Sequence, residues 1–348
     1  MSKISIAIPT YNGSKTILET LESLLSQNFD DIEIIVSDDN SSDDTINKIC
    51  SLNDSRIKVY KSSENLGSQQ NIRKAYHLCK SPLVFFMAQD DLLADGVIFE
   101  TVNFFDQHPN AGALTRPYYA FDTSSSKPVR YKKTLNIAPG EYKIINIDSD
   151  FEDILTLLNT LDQVSGLCYR KSMVTTDFHD DVFPGHSYPF LSVIKNNDIG
   201  FVNNYTVAVR VNSSQCISVS SIYDKSPVES WLGLFDTLFD DDIYKEFKNL
   251  AKTKFVCSNW IGLLQIKNYS KKPYRYTIRE YFALVKGKPS NIIHPLFFLT
   301  FLLCILTPKK ILVPLVNFIK ENVNSATIEP IDFMFNGNNL TRQVKRNH

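Results

Sequence analysis

Four short apolar runs alternate with amphipathic segments in the first part of the chain, and polar residues follow most of these runs. Short runs rich in β-branched residues are typical of buried strands, whereas apolar residues at helical spacing indicate helices between them. The predicted strands are Ile4–Ile8, Ile32–Val36, Ile57–Tyr60 and Leu83–Met87. Strands that alternate with helices predict right-handed crossovers and a doubly wound α/β sheet.

Polar side chains follow three of these strands at the point where each strand ends. They are Pro9-Thr10-Tyr11-Asn12 after the first strand, Asp38-Asp39 after the second and Gln89-Asp90-Asp91 after the fourth. The carboxyl ends of parallel strands share one edge, where open α/β folds bind ligands. An isolated Asp-Asp pair is more often a solvated strand exit, but two neighbouring carboxylates also suit a divalent cation that carries phosphate oxygens. The three strand ends together favour a ligand site.

The polar run after the second strand has a competing explanation. Ser41 or Ser42 can cap the helix that begins near Thr45, and acids in the first turn of that helix would complement its dipole. Capping accounts for the end of the run but less well for Asp38 and Asp39, which lie directly at the strand end.

The remaining pattern predicts one globular domain over residues 1–220, with halves at 1–120 and 121–220, and a mainly helical region over 221–348. Within the domain we predict a strand at Ala111–Phe121 and a helix at Phe151–Leu161 before a strand at Val164–Tyr169.

The helical region contains many basic residues and one long apolar run. The basic residues are Lys267, Lys271, Lys272, Arg275, Arg279, Lys286 and Lys288. The run Ile292–Thr307 is 16 residues long, fewer than the ~20 needed to span a bilayer, and a shorter apolar run resumes at Ile311–Ile319. A buried core helix, a re-entrant or monotopic hairpin and an amphipathic anchor are the three alternatives. Flanking basic residues favour contact with an anionic membrane face.

Composition narrows the function classes. The 37 basic and 38 acidic residues give a formal net charge of -1, so no global field favours nucleic acid. The six cysteines contain no C-x-x-C pair, which argues against a zinc site or a disulfide framework and fits a reducing cytosol. The chain enters its first strand without the apolar leader of a secretory signal.

Four motifs in order and spacing give the chain a resemblance to a known family. They are Ile6-Ala7-Ile8-Pro9-Thr10-Tyr11-Asn12, Val36-Ser37-Asp38-Asp39-Asn40-Ser41-Ser42-Asp43, Asn65-Leu66-Gly67 and Gln89-Asp90-Asp91. Over about residues 2–120 the chain resembles the family-2 nucleotide-sugar glycosyltransferases of the GT-A fold. The resemblance implies a Rossmann-like mixed sheet and an inverting transferase that uses a nucleoside diphosphate-sugar donor with Mn²⁺ or Mg²⁺.

The resemblance also implies roles for individual residues at the nucleotide end. Pro9, Thr10, Tyr11 and Asn12 would line the nucleotide, with the Tyr11 ring near the base. Asp38 or Asp39 would accept a hydrogen bond from the base.

At the phosphate end the resemblance implies that Asp90 faces the ribose or the metal and that Asp91 binds the metal. A bridging cation would stabilise the charge that develops on the diphosphate leaving group. Asn71 or Arg73 would stand near the phosphates.

The chain departs from the family pattern at two places. Related sequences often have an acid where this chain has Ala88, and they have an acidic pair, one member of which is the catalytic base, where it has His186-Ser187. An imidazole that titrates near neutrality makes His186 a candidate base, and Asp180 and Asp181 are rivals. The alternatives are a structural loop histidine and solvated loop acids.

The resemblance implies a glycosyltransferase that acts on a glycan or polyprenyl-linked acceptor in surface polysaccharide synthesis, and the basic and apolar tail favours a place at the cytoplasmic face of the cell membrane. One alternative is a GT-A-like nucleotide-binding scaffold that has lost its base. A nucleotidyltransferase is the other, but the chain lacks a glycine-rich phosphate loop with a nearby Lys or Arg.

Overall fold

A computed structural model describes residues 2–27, 29–211 and 219–316, together with the backbone of a hairpin formed by Phe333–Asn336 and Asn339–Arg342. The described chain forms two compact units. The first contains residues up to Asp180 and Gly185–Val211, and the second contains Asp181–Pro184 and residues 219–316.

The first unit alternates strands and helices as the apolar pattern predicts. Its strands are β1 (Ile4–Thr10), β2 (Ile32–Asp38), β3 (Ile57–Lys61), β4 (Leu83–Phe86), β5 (Leu92–Leu93), β6 (Ala111–Thr115), β7 (Tyr118–Phe121), β8 (Pro128–Tyr131), β9 (Tyr142–Ile145), β10 (Cys168–Arg170), β11 (Asp198–Val202) and β12 (Val207–Arg210). Its helices are α1 (Ile17–Leu25), α2 (Thr45–Ser51), α3 (Ser68–Leu78), α4 (Val97–Gln107), α5 (Phe151–Leu158) and α6 (Ser187–Val193).

Eight strands form the central sheet in the order β3-β2-β1-β4-β10-β6-β11-β9. The strands β3, β2, β1 and β4 are parallel, and β10 runs antiparallel to β4 and β6. Both faces of the parallel half are covered, so β1 and β2 are buried almost throughout, which explains their continuous rather than alternating apolar sequence. The sheet places the carboxyl ends of β1, β2 and β4 and the start of β10 on one edge.

A second sheet, in the order β5-β12-β7-β8, corrects the prediction of one strand over Ala111–Phe121. The segment is split after Thr115 into β6, in the central sheet, and β7, in the small sheet. Pro117 cannot donate a ladder hydrogen bond. The preceding Arg116 turns its fully buried guanidinium to Thr101 and Thr206, which lie 2.8 and 3.2 Å away.

The second unit is helical, as predicted. Its helices are α7 (Pro227–Leu238), α8 (Lys245–Leu250), a π-helical turn (Ala251–Val256), α9 (Gly262–Tyr269), α10 (Pro273–Gly287) and α11 (Pro295–Leu306), and residues 309–316 are also helical.

The apolar run Ile292–Thr307 is not one helix, because a 3₁₀ turn (Pro289–Ile293) ends before Pro295 starts α11. Proline is favoured at a first helical position, where its missing N–H is not needed. Only Phe297 and Cys304 of α11 are buried. Across the described ranges no helix has both the length and the apolar character needed to cross a bilayer. The resumed run from residue 317 onward lies outside the described residues.

Candidate active site

The ends of β1 and β4 are joined through one side-chain amide. Gln89 Oε1 accepts a hydrogen bond from Tyr11 N at 2.9 Å, and Gln89 Nε2 donates to Tyr11 O at 3.0 Å. Gly13 allows this approach, because a Cβ at that position would lie 2.4 Å from Gln89 Oε1. The motifs that end at Tyr11 and begin at Gln89 are therefore held side by side, with the Tyr11 ring exposed.

The serines after β2 form part of this edge. Asn12 has a left-handed backbone with φ 48°, its N donates to Ser41 Oγ at 2.9 Å, and its Oδ1 accepts from Ser42 N at 2.9 Å. The N-cap position of α2 is Asp44. The interpretation of Ser41 or Ser42 as the cap of α2 is therefore wrong, because both serines bind the turn after β1.

Asp38 and Asp39 lie together at the end of β2 and are both buried. Asp38 Oδ2 accepts from Ser41 N at 2.9 Å, while Oδ1 is buried with no hydrogen-bond partner among the described residues. The carboxylate of Asp39 instead accepts from Leu66 N at 2.7 Å and Gly67 N at 2.9 Å. Asp39 thus holds the third motif against the edge, and Asp38 keeps one acceptor atom available for a ligand.

Asn71 is buried at the same edge and connects the ends of β1 and β2. Its Oδ1 accepts from Ser37 Oγ at 2.7 Å, and its Nδ2 donates to Ser37 O at 2.9 Å and to Thr10 O at 3.3 Å. These bonds join the ends of β1 and β2, so the contacts of Asn71 in this structure are structural.

The Asn71→Ala substitution is expected to lower the free energy of unfolding by about 1–3 kcal/mol, because it leaves the buried Ser37 hydroxyl without the acceptor shown here and removes one donor from Thr10 O, which keeps its bond from Asp39 N. Urea denaturation measures this loss. The matched control is Asn47→Ala, which removes an exposed amide from α2 and should change stability by less than about 0.5 kcal/mol. An Asn71→Ala protein of unchanged stability with weakened donor binding would contradict the structural role.

Of the candidate residues Arg73, Asp180 and Asp181, the first two lie together in the first unit, and Asp181 belongs to the second unit. Arg73 Nε donates to Asp177 Oδ2 at 2.8 Å, and its Nη1 lies 4.0 Å from Asp180 Oδ1. Asp181 belongs to the second unit, where its Oδ1 accepts from Phe183 N at 3.2 Å. Arg73 and Asp180 therefore form an exposed ion-pair cluster with Asp177, and their site roles remain predictions.

The acidic pair after β4 is divided by burial. Asp90 is partly exposed, whereas Asp91 is buried, with Oδ1 accepting from Arg210 N at 2.9 Å and Oδ2 from Ser165 Oγ at 2.6 Å. Burial and the neighbouring charge of Asp90 raise the pKa of Asp91. Asp91 therefore connects β4, β12 and the loop before β10, whereas Asp90 beside it is partly exposed.

Arg210 is a further candidate site residue, which the sequence did not indicate. Its Nε donates to Asp90 O at 3.2 Å, and its Nη2 donates to Glu19 Oε2 at 2.5 Å. The guanidinium also lies over the Phe121 ring, 4.6 Å from its centroid. No motif marks Arg210, because only the pairing of β12 with β5 and β7 brings it beside the acidic pair. Its guanidinium, which is paired with Glu19, therefore lies beside Asp90 at this edge.

His186 and Ser187 begin α6 and are both buried. The Nε2 of His186 donates to Leu161 O at 2.7 Å, and Ser187 Oγ donates to the same carbonyl at 3.3 Å. Burial lowers the pKa of His186, so the ring is neutral at pH 7 with its Nε2 proton held by a carbonyl. These contacts match the structural alternative, and a base role for His186 remains a prediction.

A family model described as glycosyl transferase family 2 matches residues 5–178, which is half of the chain. The chain belongs to glycosyl transferase family 2. One relative of this family 2 chain is the Escherichia coli protein named UDP-Glc:alpha-D-GlcNAc-diphosphoundecaprenol beta-1,3-glucosyltransferase WfaP. The two are 36% identical over 106 residues, which cover 30% of this chain and 42% of WfaP. The relative named UDP-Glc:alpha-D-GlcNAc-diphosphoundecaprenol beta-1,3-glucosyltransferase WfgD, also from Escherichia coli, is 24% identical over 237 residues, or 66% of this chain and 83% of WfgD. The match thus spans about two fifths of WfaP but most of WfgD.

The fold of this family 2 chain also matches a solved structure. The crystal structure of S. aureus TarS 1–349 in complex with UDP-GlcNAc superposes with a TM-score of 0.64 at 17% identity, covering 86% of this chain and 87% of that one. The predicted GT-A fold, with a mixed central sheet and a helical C-terminal region, is confirmed.

The divalent cation expected for a family 2 glycosyltransferase fits this edge only in part. Within the described ranges no group of three His, Cys, Asp or Glu side chains is placed to hold a metal ion. Both oxygens of Asp91 already accept hydrogen bonds within the protein, whereas Asp90 is partly exposed. Mg²⁺ is commonly held by one or two carboxylates plus substrate phosphates. The residues therefore fit a cation held by Asp90 together with a bound diphosphate.

Proposed function

We propose that this protein transfers a sugar from a nucleoside diphosphate-sugar to a hydroxyl group of a glycan or lipid-linked glycan acceptor, with inversion at the anomeric carbon. The observation that carries the proposal is the buried Oδ1 of Asp38, which has no hydrogen-bond partner in the described part of the chain and lies on the edge where the Tyr11 and Asp90 motifs meet. A buried carboxylate oxygen without a donor is costly unless a ligand supplies one. A base N–H supplies such a donor, and the exposed Tyr11 ring offers the base a flat apolar surface.

At the other end of the donor, Asp90 and Arg210 flank the position of the diphosphate. A bound divalent cation would neutralise part of the phosphate charge and so favour departure of the nucleoside diphosphate. The guanidinium of Arg210 stabilises the same developing charge, and its bond to Asp90 O fixes its position. The names of WfaP and WfgD, which specify UDP-Glc and diphosphoundecaprenol-linked acceptors, support a uridine donor and a polyprenyl-linked acceptor here.

A thermal-shift screen with uridine, guanosine and thymidine diphosphate sugars in the presence of Mn²⁺ tests donor binding. At a donor concentration about 100 times its Kd, the free energy of unfolding should rise by about 2.7 kcal/mol. Release of nucleoside diphosphate that depends on a lipid-linked glycan acceptor then tests transfer. Binding without transfer to any acceptor would favour the scaffold alternative, and absence of binding by all donors would contradict the proposal.

The second unit supports a further part of the proposal, peripheral contact with the cytoplasmic face of the membrane. Its apolar surface consists of the exposed side chains Ile292, Ile293, Leu296, Leu299, Leu303 and Leu306. Ile293 is 81% exposed and Leu306 is 73% exposed, which is unusual for such residues in water. Lys309 and Lys310 follow this surface and are exposed as well. Apolar and basic side chains in one segment fit an anionic lipid surface.

The basic side chains of the helical region contribute unequally to this surface. Lys267 is buried, Lys271 binds Asp224 at 2.5 Å, and Arg279 donates to backbone carbonyls such as Tyr223 O at 2.9 Å. Lys272 and Arg275 are exposed. Only some of the basic residues that the sequence analysis named in the helical region are therefore available to lipid headgroups.

The double substitution Leu296→Glu with Leu299→Glu is expected to lower binding to phosphatidylglycerol vesicles by more than tenfold, because each buried leucine contributes about 1.5–3 kcal/mol and tenfold corresponds to about 1.4 kcal/mol. Vesicle sedimentation measures the bound fraction. The control is Ile243→Glu, at a residue that is 75% exposed outside the apolar surface, and it should leave binding unchanged. Equal binding by the double variant and the wild type would count against membrane contact through α11.

A further inference from the structure

We propose that Asp162 is the general base that takes the proton from the acceptor hydroxyl. The inference rests on the proposed transferase function and names the residue that supplies the base where the family's acidic pair is replaced by His186-Ser187.

Asp162 presents the kind of carboxylate that a base requires. Its side chain is 53% exposed, although the neighbouring Leu161 and Ser165 are buried. Asp162 Oδ1 accepts from Tyr118 OH at 2.8 Å and Oδ2 accepts from Lys132 Nζ at 2.6 Å. A carboxylate has about four acceptor sites, so each oxygen retains a lone pair for an incoming hydroxyl. The two bonds fix the orientation of the carboxylate.

The loop that carries Asp162 is fixed to the donor edge at its far end. Three residues beyond Asp162, Ser165 Oγ donates to Asp91 Oδ2 and accepts from Ala88 N at 2.9 Å. Gly166 N then donates to Phe86 O at 3.0 Å, directly at the end of β4. The loop therefore runs along the same edge as the acidic pair, and Asp162 stands at its solvent side.

The near end of the loop is fixed by the two residues that replace the acidic pair. His186 Nε2 and Ser187 Oγ both donate to the carbonyl of Leu161, the residue before Asp162. In this chain, His186 and Ser187 do not supply a carboxylate themselves. They hold the backbone of Leu161, next to the carboxylate of Asp162. His186 and Ser187 are thus positioning residues for Asp162.

The charges around the loop are consistent with this assignment. Burial, followed by the negative charges of Asp162 and Asp91, raises the pKa of Tyr118 well above its usual value. Tyr118 therefore stays a neutral phenol that donates to Asp162. The loop that contains Asp162 leads into β10, which adjoins β4 on the side away from β1 and β2.

The step balances within the donor, the acceptor and the protein. The acceptor oxygen attacks the anomeric carbon and forms the new glycosidic bond. The bond from that carbon to the diphosphate oxygen breaks, and its electron pair leaves with the nucleoside diphosphate. The hydroxyl proton passes to the carboxylate of Asp162, which later releases it to water.

The Asp162→Asn variant separates base catalysis from donor binding when two nucleophiles are compared. Transfer to the hydroxyl acceptor should fall by about 10²- to 10⁴-fold in kcat, the usual contribution of a general base. Azide carries no proton that must be removed, so formation of the glycosyl azide should be the same in the variant and the wild type. Donor binding, measured by thermal shift, should also be unchanged.

The matched control is Asp153→Asn, which removes another lysine-paired carboxylate of the same unit, 2.5 Å from Lys143 Nζ. It should retain full activity with both nucleophiles. Unchanged transfer to the hydroxyl acceptor by Asp162→Asn would overturn the base assignment but not the proposed function. Equal loss of transfer to the hydroxyl acceptor and to azide would also overturn it, and would assign Asp162 to donor binding. Wild-type protein inactive with both nucleophiles would overturn the proposed function and the base assignment with it.

Discussion

The Asp90→Asn substitution is expected to lower sugar transfer by about 10²- to 10³-fold, the usual cost of removing a group that stabilises charge in the transition state. Asp90 is the partly exposed member of the acidic pair at the end of β4, where the diphosphate is expected. The amide has the same shape but carries no charge, so it binds a divalent cation more weakly. The free energy of unfolding should change by less than about 0.5 kcal/mol, because the side chain is not buried.

Steady-state transfer kinetics at several Mn²⁺ concentrations measure this effect. The variant should require more Mn²⁺ for half-maximal activity than the wild type. Asp106→Asn is the control, because it neutralises an exposed acid on α4 that is 3.5 Å from Lys3 Nζ. It should leave the transfer rate and the Mn²⁺ concentration for half-maximal activity unchanged. Full activity of Asp90→Asn without added metal would show that Asp90 has no part in binding the diphosphate end.

The strand ends were predictable from the sequence because the relevant information is local. Each apolar run defines a strand, and parallel topology then brings Thr10, Asp38 and Asp90 to one edge without any knowledge of side-chain contacts. The different contacts of neighbouring acids could not be predicted in this way. Asp38 and Asp39 have the same chemistry, and only the position of the Leu66-Gly67 backbone shows that Asp39 is occupied.

Asp162 was missed for a related reason. The apolar pattern predicts a helix up to Leu161 and a strand from Val164, but α5 ends at Leu158 and β10 begins at Cys168. The intervening residues form the loop that follows the donor edge. The partners of Asp162 are 44 and 30 residues away in the chain, on β7 and after β8, so no spacing in the sequence marks the group.

His186 occupies the position that the resemblance assigns to the catalytic base, but its Nε2 makes a structural hydrogen bond there. Its place before α6 is where the resemblance implies a base, but a buried ring that donates to a backbone carbonyl cannot accept a proton at that nitrogen. The departure from the family pattern and the exposed carboxylate of Asp162 are connected through the same carbonyl, Leu161 O.

The Asp91→Ala substitution is expected to lower the free energy of unfolding by about 3 kcal/mol, because it leaves the buried Ser165 Oγ and Arg210 N without an acceptor. Asp91→Asn should cost less, about 1 kcal/mol, since the amide oxygen still accepts from Arg210 N and the raised pKa of Asp91 means that a neutral side chain is tolerated there. Urea denaturation of both variants measures the difference.

Comparison of Asp91→Asn with Asp90→Asn decides which acid binds the donor. If Asp91 connects β4, β12 and the loop before β10, Asp91→Asn should retain most of the transfer activity while Asp90→Asn loses it. Asp91→Ala should lose activity together with stability, and should regain part of both when a saturating donor stabilises the fold. An Asp91→Asn protein of wild-type stability that is as inactive as Asp90→Asn would instead establish Asp91 as a direct ligand, and would require its bonds to Ser165 and Arg210 to break when the donor binds.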